Sequence, residues 1–401
     1  MTYHFPLFPS APTDLKLWGV SGRNFGYTSA LSVLETNDMH TEHNRLIGQG
    51  PDALETPALL VDLDVLDSNL KRMADYFTGR HCRLRPHFKS HKCVELSRRQ
   101  LAAGNACGIT CAKLSEAEQL AAGGIEDILI ANQVVGPRKA ARLAELNRAA
   151  TVRCAVDSLE SIEQLDRQAE KCGSTIPVLV EVDIGMQRCG VAPGPPTVAL
   201  AQRIADHGHL RFDGLQGYEG HLVSIAAKPQ RRKQTTEAMR SLVETKRLLE
   251  QSGLSVKIVS GGSSSTSDIT GTIEGIDEVQ CGSYALMDST YQKLRPEFRI
   301  ARWVVATVIS ARSNSVVVDV GLKGIGCDFG PPLVEGHPTA TVRYTAEEHV
   351  PLDNLTASVG DQLRLIPAHG CTTNSLYRKM WIVRDEVIVD VWEIEGSGCL
   401  E

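Results

Sequence analysis

Long apolar runs are missing from this sequence. None approaches the roughly 20 residues that a membrane-spanning helix needs, so no membrane partner is expected. Excess positive charge is missing as well. The formal net charge is −6 and no dense lysine–arginine run occurs, which argues against nucleic acid as a partner. The opening MTYHFPLFPSAPTDLKLW has no basic start followed by an apolar stretch, so no secretory signal is expected and the expected compartment is cytoplasmic. With no export signal, the eleven cysteines, an odd number, read as reduced thiols. Cys107 and Cys111, four apart in a strand-like run, read as core packing. The first strand–helix turn carries no GxGxxG, which weighs against a dinucleotide-binding open sheet.

What is present is ordinary in bulk and organised in order. The 401 residues are 42% hydrophobic and 22% charged, as in soluble globular proteins. That length suits a barrel of about 250 residues plus a smaller domain. Residues 1–54 show no clear period and are rich in Pro, Gly, Ser and Asn. They read as an N-terminal arm packed on the rest or on a partner chain. From Thr56 onward, short β-branched runs alternate with segments of helical spacing. Candidate strands are 82–86, 107–111, 127–131, 151–155, 177–182, 213–217, 256–260 and 277–281, with 58–62 set aside before the first long helix. Eight strand–helix units predict a closed (β/α)8 TIM barrel over 55–300. After about residue 300, apolar runs alternate without long helices (303–310, 315–320, 338–344, 362–367, 381–392), predicting a C-terminal all-β domain over 301–401.

Four clusters carry chemistry. In RLRPHFKSHK (83–92), Arg85, His87, Lys89 and His91 share one face while the chain stays extended. Such groups fill no apolar interior, and a lysine at a strand's C-terminal end faces the barrel mouth. A solvated basic turn is the alternative. Second, SGGSSS (260–265) follows a strand, and Cys281, Gly282, Ser283 and Tyr284 follow the next. Small residues let backbone N–H groups approach an anion, and barrels place phosphates after strands seven and eight. A reactive lysine with a phosphate cradle suggests pyridoxal phosphate, although spacing does not separate it from a sugar phosphate. Third, His369 and Cys371 in PAHGC (367–371) lie two apart, so on an extended chain both face one side as candidate ligands for a divalent cation, an incidental pair being the alternative. Fourth, Arg188 stands in DIGMQRCG (183–190), where it can donate to an oxyanion or phenolate, a surface salt bridge being the alternative.

The motifs TPALLVDLD, RPHFKSHK, AKLSEAE, GMQRCG, VSGG, QCGSYALMD, DVGLK and the HxC pair resemble those of the D-threonine aldolase and D-serine dehydratase family, with an alanine racemase-like fold (PLP fold type III). The similarity runs from about Thr56 to about Gly396. The resemblance implies that Lys89 carries pyridoxal 5'-phosphate through its amine and that Arg188 meets the cofactor's phenolic oxygen. Gly261, Gly262, Ser263, Gly282, Ser283 and Tyr284 would hold its phosphate side, and His87 and Tyr218 would sit nearby. Gln280 stands where racemases place an arginine facing the pyridine nitrogen. Aldolases of the family carry His-x-Asp at the metal and Tyr-His-Gly after strand six. Here the residues are His369–Gly370–Cys371 and Tyr218–Glu219–Gly220–His221, leaving Glu219 and His221 as candidate bases. Thiolate favours zinc, with manganese or magnesium as alternatives. A thiolate also makes the metal less acidic, which leans the expectation towards a dehydratase of 3-hydroxy-D-amino acids. Retro-aldol cleavage, racemisation and a non-enzymatic role in pyridoxal-phosphate homeostasis are the alternatives. The fold implies a homodimer.

Overall fold

Eight short parallel strands curl into a barrel in this computed structural model, which describes residues 45–401. Most of the arm expected over 1–54 therefore lies outside the described residues. The strands are Arg83–Leu84, Ile109–Cys111, Asp127–Gln133, Thr151–Val156, Ile176–Glu181, Leu210–Gly217, Ile258–Gly261 and Glu278–Val279. From Ile109–Cys111 onward each pairs in parallel with the next, and Glu278–Val279 pairs back with Arg83–Leu84. Parallel bridges from Leu84 to Ala106 and from His87 to Thr110 close the ring. The eight strands expected from periodicity are the eight observed.

Local chemistry explains the elements. All six residues of Ile176–Glu181 are buried, as in a strand covered on both faces. Helix Leu63–Phe77 starts where the Asp62 carboxylate accepts the Val65 N–H, and it buries Leu66, Leu70, Met73 and Phe77 along one stripe. Helix Leu159–Cys172 is capped by Ser158 and stops at Gly173 in the left-handed region, φ 66°. Low in the barrel lies an ionic layer. The buried Arg85 guanidinium donates to Glu278 at 2.6 and 2.7 Å and to Asp127 at 2.7 Å, and Arg153 bridges Asp127 and Asp213.

The β domain is built on Arg302–Arg312, a long strand with a register shift between Val308 and Ser310. It pairs with Ser315–Val318, Gln362–Ile366 and Ala58–Asp62. Ala58–Asp62 also lies parallel to Lys379–Arg384. The strand expected at the head of the barrel range therefore sits in the β domain's sheet, where Leu60, Trp303 and Trp381 share a second apolar cluster. Its apolar run fits either domain, and pairing with 302–312 decides between them. Residues just before it belong to the same domain: Gly48 donates to the Ile388 carbonyl and Ile388 donates to that of Gln49, both at 2.8 Å. Leu46–Glu401 forms one compact unit. Among the described residues no helix is long and apolar enough to cross a membrane.

Candidate active site

A cavity of about 570 Å³ opens at the C-terminal ends of the barrel strands, with His369 and Cys371 of the β domain in its wall. Lys89 enters it because the chain turns. His87 donates its N–H to the Cys281 carbonyl at 2.8 Å, and Phe88–Ser90 then forms one tight helical turn. The extended run expected through His91 therefore ends at His87, and the four side chains part company. Arg85 goes down to the ionic layer. His91 is buried against Gln100 at 3.1 Å, and Lys92 pairs with Glu116 at 2.5 Å.

Lys89 stands in the open space, accessible to a small molecule but walled by protein. Desolvation by those walls pulls its ammonium below the ordinary lysine value; Arg188 adds to this and the Cys371 thiolate opposes it. Its Nζ lies 5.8 Å from the centre of the Tyr218 ring, and the Arg188 guanidinium lies 5.3 Å from the same ring. Arg188 is held from behind by Glu181 at 3.7 Å. His87 is buried, which drives its pKa well down, so it is a neutral imidazole.

The glycine–serine loops supply a cradle that fits a phosphate. The amides of Ser264, Gly282 and Ser283 meet no acceptor among the described residues, and all three residues line the cavity. Gly282 is required: a Cβ there would lie 2.2 Å from the Ser90 hydroxyl. Gln280 lines the cavity and donates to the Ser260 hydroxyl at 2.9 Å, presenting a neutral group. These donors, with the Lys89 amine and the Arg188 guanidinium, suit a phosphorylated aldehyde bearing a phenolic oxygen.

Four expected residues stand elsewhere. Glu219 is fully buried and turned from the cavity; its carboxylate accepts from Thr266 at 2.6 Å, Gly262 N–H at 3.2 Å and Thr270 at 3.3 Å. It braces the serine loop, and burial pushes its pKa up. His221 is exposed on the rim beside Gly185 and does not line the cavity. Tyr284 packs on Phe298 and its hydroxyl accepts from Gln100 at 3.2 Å, so only its backbone, donating to Ser264, serves the loop. Gly261 packs inside the barrel, where a Cβ would meet the Gly217 carbonyl at 2.5 Å.

His369 and Cys371 do not share an extended strand. A short helix, Gly370–Asn374, starts between them, yet both side chains line the same cavity. Burial pushes the Cys371 thiol up, but the proximity and charge of His369, with Ser90 and Lys89, bring it below its ordinary value. The imidazole Nδ1 contacts Asp328 at 2.5 Å, and Phe329 stacks on the ring at 4.0 Å. A carboxylate behind a histidine is the usual support of a metal-binding imidazole. No third His, Cys, Asp or Glu joins the pair among the described residues, so a bound cation would keep positions for water and substrate. Sequence reasoning missed Asp328, which stands 41 residues before its partner with no motif to mark it. It also missed Tyr291, which faces the cavity.

Comparison with known proteins follows the same division. Residues 61–290 match the alanine racemase N-terminal domain and residues 301–383 a putative serine dehydratase domain. A D-threonine aldolase of Arthrobacter sp. is 36% identical over 86% of this chain and 93% of its own. The crystal structure of D-threonine aldolase from Filomicrobium marinum superposes with TM-score 0.86 at 35% identity, over 88% of this chain and 98% of that one. D-threo-3-hydroxyaspartate dehydratase from Delftia sp. HT23 gives TM-score 0.79 at 27% identity, over 86% and 98%. A cysteine-to-alanine variant of that dehydratase is described as a metal-free form.

Proposed function

The chain belongs to the D-threonine aldolase and D-serine dehydratase family of alanine racemase fold, and we propose that it is a pyridoxal-phosphate- and metal-dependent lyase acting on 3-hydroxy-D-amino acids. One observation carries this: Lys89 and the His369–Cys371 pair open onto one cavity, from two different domains. A lone lysine site would suit a racemase, and a barrel alone would suit a homeostasis protein.

Lys89 would hold the cofactor's carbonyl carbon, Arg188 its phenolic oxygen, and the amides of Ser264, Gly282 and Ser283 its phosphate. Bound there, the cofactor supplies an electron sink for charge developing at Cα. His369 and Cys371 would hold the divalent cation, zinc by the softness of thiolate, and it would supply Lewis acidity to the substrate's 3-hydroxyl. Lys89 would also be the base at Cα, and its lowered pKa leaves more of it neutral and able to accept a proton. Gln280 offers the cofactor no negative charge, so a proton on the ring nitrogen gains no ion pair from it.

Which bond at Cβ breaks is favoured differently by two observations. Dehydration needs one base at Cα and departure of hydroxide, and among the described residues no carboxylate lines the cavity to take a hydroxyl proton. Retro-aldol cleavage is favoured by the relatives above 30% identity over most of this chain, which are aldolases; neutral His87 would then be the base. Incubation with D-threonine and D-serine separates them: glycine with acetaldehyde marks the aldolase, and a 2-oxo acid with ammonia the dehydratase. Homodimerisation and a cytoplasmic location belong to the same proposal, the first open to light scattering.

A further inference from the structure

Gly370 lies between the two proposed metal-binding side chains, and its surroundings are unusually closed. Its N–H donates to Asp288 Oδ2 at 3.0 Å. A Cβ on Gly370 would fall 1.2 Å from Nη2 of Arg302, so only glycine lets the backbone rest on that guanidinium. Arg302 in turn donates from Nη2 to the Met287 carbonyl at 2.5 Å and stands 3.7 Å from Asp288. Asp288 and Arg302 are both buried, at 0% and 2% exposed. The other Asp288 oxygen accepts the Tyr291 N–H at 2.8 Å and so starts helix Ser289–Leu294, which puts Tyr291 in the cavity wall. Met287, just before, holds a left-handed φ of 56°, uncommon for a side chain of that size.

We propose that Asp288 and Arg302 are positioning residues that set the geometry of the His369–Cys371 pair from the barrel side. Asp288 pins the Gly370 amide while Arg302 fills the space under its Cα. The chain is thereby forced from strand into helix at one residue, and this turn aims an imidazole and a thiolate two residues apart at a common point. On a continuing strand the same side chains would share a face but stand farther apart along it. The single carboxylate thus ties the cofactor-side wall, through Tyr291, to the metal pair. This rests on His369 and Cys371 being the metal-binding pair.

Cobalt(II) titration of the cofactor-loaded protein tests it without reference to turnover. Thiolate-bound cobalt gives charge-transfer absorbance that depends on Cys371. Asp288→Asn retains an oxygen for the Tyr291 N–H but sets an amide against Gly370; it should weaken cobalt binding by about 10–100-fold, the range for lost outer-shell support, and change that absorbance, while cofactor absorbance is retained. Gly370→Ala, which displaces Arg302, should do the same. Wild-type cobalt affinity and spectrum in folded Asp288→Asn would overturn the positioning role and leave the metal pair standing. A wild-type protein without Cys371-dependent cobalt absorbance would overturn the metal pair and the positioning role together.

Discussion

Lys89 Nζ lies 5.8 Å from the centre of the Tyr218 ring, on a cavity shared with two side chains from another domain. No other lysine among the described residues lines that cavity. Borohydride reduction of the cofactor-loaded protein should therefore fix cofactor mass on the peptide containing Lys89. Lys92, whose ammonium is held by Glu116, and Lys113 should stay unlabelled; label on either would reject the assignment.

Cys371→Ala should lose bound metal while the cofactor absorbance persists, because the lysine and the thiolate come from different domains. Metal analysis after dialysis, with a visible spectrum of the same sample, checks both halves. Full activity in that variant would defeat the metal assignment.

Glu219→Ala leaves the Gly262 N–H and the hydroxyls of Thr266 and Thr270 without their acceptor. A loss of about 1–3 kcal/mol of stability is expected for buried donors left unpaired, with weaker cofactor binding through the serine loop. Glu219→Gln keeps an acceptor there and should bind cofactor nearly as the parent does. Thermal unfolding and cofactor titration measure these effects. A bracing role would be refuted by Glu219→Gln that binds cofactor normally and has no turnover at saturating cofactor.

Arg85→Met should destabilise the barrel by about 3–5 kcal/mol, since Glu278 would be left without its buried cation, while Asp127 keeps Arg153. The pH dependence should change too. Burial pushes Glu278 up, but Arg85 outweighs it and holds the carboxyl below its ordinary value. A carboxyl lowered in the folded state contributes stability above its unfolded pKa of about 4.3, and that contribution is lost as pH falls through the folded value. Denaturant midpoints measured down through that range should fall in the parent and fall less in Arg85→Met. Equal acid sensitivity in both would contradict the assignment.

How much could be read beforehand depended on whether a residue's role was local. The strands 127–131 and 177–182 were legible because β-branched runs between helical periods have few other solutions, and they recur as Asp127–Gln133 and Ile176–Glu181. Lys89, Arg188 and Gly282 follow barrel strands, where a barrel collects its chemistry, and all three line the cavity as the sequence suggests. Roles decided by a turn were not legible. Glu219 neighbours Tyr218, yet one residue of rotation sends it beneath the serine loop. Tyr284 follows Ser283 and faces Phe298 instead. Ala58–Asp62 looked like any apolar strand until Arg302–Arg312 paired with it. Asp328 reaches His369 across 41 residues, a distance over which no spacing rule operates.

The most direct measurement compares 3-hydroxy-D-amino acids with D-alanine in the cofactor-loaded protein, before and after chelation, with all products identified. The account predicts lysis of the 3-hydroxy substrates alone, lost on chelation and restored by zinc or manganese. Undiminished turnover in chelator, or interconversion of D- and L-alanine, would contradict it.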